Sequence, residues 1–189
     1  MILVIGLGNP DKKYEGTRHN VGREIVMAFA RREELPAFRF EKKWNALVSE
    51  GKIGKEKTAL ILPETMMNAS GKTAAPAARF YKVKPKSIFI IHDDADIALG
   101  SAKLSFGKRS AGHKGVESII RALKTNDLWR LRIGIAGRRD IPAEKLVLKK
   151  FTPDEQKIIK KITKRTHEAL ATIAAEGPDR AMNEYNSNT

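Results

Sequence analysis

Short apolar runs alternate with amphipathic stretches along this chain, and the spacing within each predicts its element. ILVIGL, residues 2–7, is a continuous apolar run ending near glycine, as in a buried strand. Residues 20–32 place Val21, Ile25, Ala28 and Phe29 at helical spacing. NALVSE and TALILP are two further strand candidates, and GKIGKEK between them holds turn residues at hairpin length. SIFIIHDD is apolar and β-branched before it turns acidic, AKLSF alternates weakly, and LRIGIA returns to strand. Val116, Ile119, Ile120 and Leu123 lie on one helical face.

The last long element opens at TPDE. Thr152 can cap it, Pro153 suits the first helical position and Glu155 completes a capping box. Ile158, Ile159, Ile162, Leu170 and Ile173 would then face the core, and Gly177-Pro178 stops the helix. NASGKTAAPAARFYK reads as helical although it contains Pro76. With Thr73 as the cap the proline falls in the first turn; with Ser70 as the cap the helix is kinked. AGRRDIPAEKLVLKK, residues 136–150, is charged and weakly periodic and reads as a mobile surface loop or lid. Strands alternating with helices, with one hairpin included, predict an α/β fold. Residues 1–189 are expected to form a single domain, a mixed twisted sheet flanked by helices and closed by a C-terminal amphipathic helix.

Composition narrows the chemistry. No cysteine is present, which excludes a disulfide framework, a thiolate nucleophile and a thiolate zinc site. With 6% aromatic and 41% hydrophobic residues, the core must be mostly aliphatic. No stretch approaches the roughly 20 apolar residues of a membrane helix, and the N-terminus lacks a basic leader, so a cytoplasmic protein is expected. Lys plus Arg number 36 and Asp plus Glu 22, a formal net charge of +14. That excess points to a polyanionic partner, most simply nucleic acid.

Several stretches carry candidate chemistry. GLGNP lacks the third glycine of a dinucleotide loop, because Asp11 stands there, and no phosphate-binding P-loop occurs. Its glycines instead make a tight strand exit that exposes Asn9. MMNASG sets Asn68 before a helix start, HDDAD ends a strand, and SAGHKG sets His113 before another helix. Each alone is ordinary turn chemistry. Together, His19, Asp93, Asn9 and Asn68 supply a base, a carboxylate to orient it and amides to hold a carbonyl. His92, Asp93, Asp94 and Asp96 also permit a metal reading, but strand alternation keeps more than half of them from converging on one ion.

In order and spacing, GLGNP…Y…TRHNVG, PETMMNASG, HDDADIALG, SAGHKGVESII and RLRIGI resemble bacterial peptidyl-tRNA hydrolases, from Ile2 to the final helix. The resemblance implies cleavage of the ester between a peptide and the 3′ ribose of tRNA, with no metal or organic cofactor. His19 then matches the family's catalytic histidine and Asp93 its histidine-orienting aspartate. Asn9 and Asn68 match substrate-positioning asparagines, and Tyr14 a tyrosine of the same cleft. Met67, His113 and Lys114 join them as expected substrate contacts. Lys103 and Arg132 match basic positions used toward phosphates, and charge clustering adds Lys108, Arg109 and Arg130. The expected partner is peptidyl-tRNA, through its acceptor stem and 3′ end, with the lid on the RNA side and the protein a monomer.

Two positions depart from the family pattern. Asp11 replaces a usual glycine, and Lys114 replaces the asparagine of GHNG. The alternative reading is an inactive RNA-binding relative on the same fold. A metal-dependent esterase built on HDDAD is the more distant one.

Overall fold

The computed structural model describes residues 1–137 and 141–187. In chain order the elements are β1 (Ile2–Gly6), α1 (Val21–Arg32), β2 (Arg39–Glu41), β3 (Ala46–Ile53), β4 (Glu56–Pro63), α2 (Gly71–Phe80) and β5 (Ile88–Ala98). They continue through β6 (Ala102–Phe106), α3 (Lys114–Leu123), β7 (Trp129–Ala136), α4 (Ala143–Leu146), α5 (Pro153–Glu176) and α6 (Pro178–Ser187). The strands form one seven-stranded sheet in the order β2-β3-β4-β1-β5-β7-β6. Its centre, β4-β1-β5-β7, is parallel, and β2, β3 and β6 are added antiparallel at the two sides. This is the mixed α/β architecture expected from the alternating pattern.

The central strands are buried on both faces, which is why they read as continuous apolar runs rather than alternating ones. Val4, Phe89, Ile91 and Leu131 pack with Val26 and Phe29 of α1 and Leu170 and Ile173 of α5. Leu3, Ile5, Ile88 and Ile90 pack with Ala74 and Ala77 of α2 and Val116 and Ile119 of α3. Each such aliphatic side chain contributes about 1.5–3 kcal/mol on burial. The helices sit unusually close at two glycines. A Cβ on Gly22 would fall 2.1 Å from the Ile91 carbonyl oxygen, and one on Gly71 would fall 2.2 Å from that of Ser118. The first clamps α1 onto β5, and the second clamps α2 onto α3.

Several expectations need correcting. β5 runs through HDDAD to Ala98 instead of ending there, although its pairing with β7 shifts register between Asp94 and Ala98. Ile158 is 37% exposed, because the first turns of α5 overhang the Gly100 turn rather than the sheet. The predicted capping box and the stop at Gly177 are both present, but α6 follows at once and packs Ala181 and Tyr185 into the core. In α2 the cap position is Ser70, so Pro76 lies inside the helix. Ser70 bonds the Met67 carbonyl instead of capping, and the α2 terminus receives Ser118 Oγ at Gly71 N, 3.0 Å away.

The lid reading is also revised. Within 141–150 the chain forms α4 and is stitched to the start of α1. Arg18 N donates to Lys149 O at 3.0 Å, His19 N donates to Val147 O at 2.9 Å, and Thr17 bridges to Lys150. Residues 138–140 of that stretch lie outside the described residues.

Candidate active site

The site forms where β1 and β5 leave the parallel centre of the sheet and the turns before α1 and α3 meet them. The exit of β1 is held by Asn20. Its Oδ1 accepts from Asn9 N and its Nδ2 donates to Asn9 O, both at 2.9 Å. Asn9 Oδ1 in turn accepts from Met67 N at 2.8 Å. That bond fixes the amide's orientation, since only the oxygen can accept a backbone N–H, and so keeps Nδ2 as the donor on the other side. Asp11, the departure from the family glycine, has φ −68° and caps the following 3-10 turn by accepting from Lys13 N at 3.0 Å. No left-handed backbone is required there, so an aspartate fits without strain.

His19 stands in a 3-10 turn, Arg18–Asn20, that leads into α1. Its Nδ1 lies 2.9 and 3.0 Å from the two carboxylate oxygens of Asp93. His113 Nε2 lies 3.0 Å from Asp93 Oδ1. The Asp93 side chain is therefore the hub of two histidines, and the residue is 1% exposed. Burial alone would raise its pKa. The charges and hydrogen bonds of His113 and His19 outweigh burial and hold the carboxyl well below the usual carboxylate range. An ionised Asp93 accepts only, so both imidazoles must donate to it.

The tautomers follow. His113 caps α3 with Nδ1, which accepts from Gly115 N at 3.2 Å and Val116 N at 3.3 Å. Its proton is then on Nε2, the atom that faces Asp93. His19 carries its proton on Nδ1, which leaves Nε2 with a free lone pair. The Asp93 carboxylate thus fixes the tautomer of His19.

His19, Asp93 and His113 are also close enough to be considered for a metal, their ligand atoms lying within 4.8 Å of one another. The hydrogen bonding argues against it. A metal on His113 Nε2 would need the lone pair that its cap-fixed tautomer does not have there. The HDDAD carboxylates do not converge either: Asp94 Oδ2 accepts from Arg132 Nε at 2.7 Å, and Asp94 Oδ1 accepts from Asp96 N at 3.0 Å.

A cleft of about 690 Å³ opens over this centre. Asn9, Tyr14, His19, Met67, Asn68 and Asp93 line one part of it, as do His113 and Lys114. Ala143 and Glu144 of α4, with Val147 and Leu148, also line it, a stretch that sequence reasoning treated only as a lid. Asn68 and Lys114 are exposed, whereas Met67 is buried and its sulfur packs against Gly115. His113 lines the cleft, but both its ring nitrogens are engaged inside the protein, by Asp93 and by the α3 cap. Asn20 was missed, although it follows His19 directly in TRHN.

The basic residues divide. Lys103 and Arg132 are cross-strand partners on β6 and β7, Lys103 exposed and Arg132 half-buried. Lys108 and Arg109 are exposed in the loop that leads to α3. Arg130 does not belong with them. It is 2% exposed, the largest of the fully buried side chains, and cannot present its guanidinium to a surface phosphate.

Comparison with known proteins shows what the chain as a whole is similar to. Residues 3–189 match the family described as Peptidyl-tRNA hydrolase. The peptidyl-tRNA hydrolase of Desulfitobacterium hafniense (strain Y51) is 39% identical over 188 residues, covering 98% of this chain and all of the relative. That of Alkaliphilus metalliredigens (strain QYMF) is 37% identical over 186 residues, covering 98% of this chain and all of the relative. A crystal structure of peptidyl-tRNA hydrolase from Acinetobacter baumannii superposes with a TM-score of 0.92 at 30% identity, covering 99% of this chain and 95% of the other.

Proposed function

Because the chain belongs to the peptidyl-tRNA hydrolase family, we propose that the cleft over His19 is its reaction centre and that His19 is the general base. The protein hydrolyses the ester between a peptide and the 3′ ribose of tRNA, releasing free tRNA and peptide. The observation that carries the assignment of the base is the Asp93 hub, which forces the His19 proton onto Nδ1 and frees Nε2.

In this reading His19 Nε2 removes a proton from water as the oxygen attacks the ester carbonyl carbon. The carbonyl oxygen becomes an oxyanion, and the Asn9 and Asn68 amides donate to it. Collapse of the tetrahedral intermediate breaks the bond to the ribose oxygen, which takes the proton from His19 Nε2. Asp93 acts through His19, stabilising the imidazolium between the two proton transfers. An alkoxide of a vicinal diol is a good enough leaving group for activated water to suffice, so no covalent intermediate is invoked.

Substrate would be held at two levels. Tyr14, Asn68 and Lys114 flank the cleft and face the peptide and the terminal ribose. Lys103, Arg132, Lys108 and Arg109 form a basic margin for acceptor-stem phosphates, which suits the +14 net charge. Lys114 can replace the donated contacts of the family's asparagine but not an accepted one, because lysine has no acceptor. Among the described residues no helix is long and apolar enough to cross a membrane. Residues 1–189 would work as one cytoplasmic, monomeric unit.

The test is His19→Ala with circular dichroism alongside. Turnover of peptidyl-tRNA should fall by about 100-fold or more, the usual scale of a general base. Affinity for tRNA should stay within about threefold, since it rests on phosphate contacts. A folded variant with wild-type turnover would overturn the assignment.

A further inference from the structure

His92 and Arg130 lie behind the reacting groups and have no part in the mechanism above. Both are buried, and among the described residues Nε2 of His92 and Nε and Nη1 of Arg130 have no hydrogen-bond partner. Sheet register places them on one face. Arg130 pairs across the ladder with Ile90 and His92 with Arg132, so the two side chains are neighbours on the α3 side of adjacent strands. Ser105, directly opposite Arg130 on β6, adds a buried hydroxyl with no partner among the described residues. A fully buried cation with unmatched donors is costly, so its place beside His92 calls for a physical account.

His92 touches the reaction centre twice. Its Nδ1 is 2.6 Å from the main-chain oxygen of Asp93, and its ring meets His113 edge-on at 4.7 Å between centroids. A carbonyl can only accept, so the His92 proton is on Nδ1 and Nε2 holds the lone pair. Burial, then His113 and Arg130, disfavour the charged imidazole, while Asp93 favours it. A cation on the same face also disfavours a second N–H pointing toward it. Arg130 thus has an electrostatic role at His92 that a surface arginine could not have.

We propose that His92 and Arg130 are positioning residues for the His19–Asp93 pair. Arg130 holds His92 in the Nδ1-protonated tautomer. His92 then anchors the peptide from which the Asp93 carboxylate projects, and it buttresses the ring of His113. His113 holds Asp93 Oδ1, and Asp93 holds His19. The chain of contacts runs from β7 to the base without touching substrate. This inference rests on His19 being the base, but its first test does not use activity.

That test is nitrogen-15 NMR of the imidazole side chains in the wild-type protein. The expected pattern is His92 protonated on Nδ1, with His113 protonated on Nε2. His92 found protonated on Nε2 overturns the proposal, whatever the kinetics. Arg130→Met, which keeps length and removes charge, should move His92 toward a mixture of tautomers. Kinetics give the second reading. His92→Leu should lower kcat about tenfold with KM within about twofold, the scale of one lost hydrogen bond in alignment. His92→Asn, whose amide can place a donor where Nδ1 stands, should restore kcat to within about threefold of wild type. A folded His92→Leu protein with wild-type kcat sinks the proposal. So does an Arg130→Met protein whose tRNA affinity has a salt slope shallower by about one, because that would mark Arg130 as a phosphate ligand. If His92→Leu does not fold, the wild-type tautomer and the Arg130→Met spectrum decide the matter.

Discussion

Asp93→Asn isolates charge from shape at the centre of this site. Asparagine is nearly isosteric, but it offers one acceptor oxygen and one donor group where the carboxylate offers two acceptors. In the structure Oδ1 receives both His113 and His19, while Oδ2 lies 3.0 Å from His19 Nδ1. With the amide oxygen kept toward His113, the new NH₂ would face the N–H of His19. Oδ1 could still accept from His19 Nδ1, so that contact would weaken, without abolishing, the preference for the Nδ1 proton that leaves Nε2 free in the proposed mechanism. A second loss adds to this one. At roughly 4 Å between charge centres and an effective dielectric of about 20, a carboxylate stabilises the imidazolium by about 4 kcal/mol, or roughly 1,000-fold in rate. The expected result is a fall in kcat between about 100-fold and 10,000-fold, with KM changed by no more than about threefold. Single-turnover release of peptide from peptidyl-tRNA measures it, with circular dichroism to verify the fold. A folded Asp93→Asn protein that retains kcat within about tenfold would refute both the tautomer argument and the role of charge.

The remaining predictions probe the supports of the site. Asp93 has a pKa depressed in the folded protein, so its contribution to stability is present above about pH 4 and is lost as pH falls toward its folded value. Urea melts should therefore show wild-type stability dropping over that acid window, and the drop should be smaller in Asp93→Asn. Arg18, whose side chain is almost fully buried, makes two bonds of 2.7 and 2.8 Å to Glu155 at the α5 capping box. Arg18→Ala should cost about 1–3 kcal/mol in chemical denaturation and raise KM by loosening the Val147–Leu148 wall; an unchanged midpoint would show that this tie is dispensable. Affinity for tRNA should fall steeply with salt. Lys103→Ala or Arg132→Ala should each make the log–log slope shallower by about one, and a slope that stays the same would remove those residues from the phosphate margin.

Much of this protein was legible from local pattern. Buried parallel strands read as apolar runs, and α1, α3 and α5 showed an apolar stripe, because burial on two faces and on one face leave different periods in a sequence. The α5 start was legible to the residue, since a capping box is a local hydrogen-bond exchange between Thr152 and Glu155. His19, Asp93, Asn9 and Asn68 stood out through motifs, although Asp93 proved to lie within β5 and not at its end. What local pattern could not decide was which groups use each other's protons. His19 and Asp93 are 74 positions apart, and nothing near either one shows that His113 would claim the same carboxylate. Arg130 and Arg132 alternate identically along β7, yet one is sealed beneath the sheet face and the other reaches Asp94. That difference depends on what covers each position, which is a property of α3 and β6 and not of the strand itself. The stretch 141–150 read as a loop because its order comes from main-chain bonds to Arg18 and His19. Such bonds leave no side-chain signature in a sequence, and only the folded chain brings their two ends together.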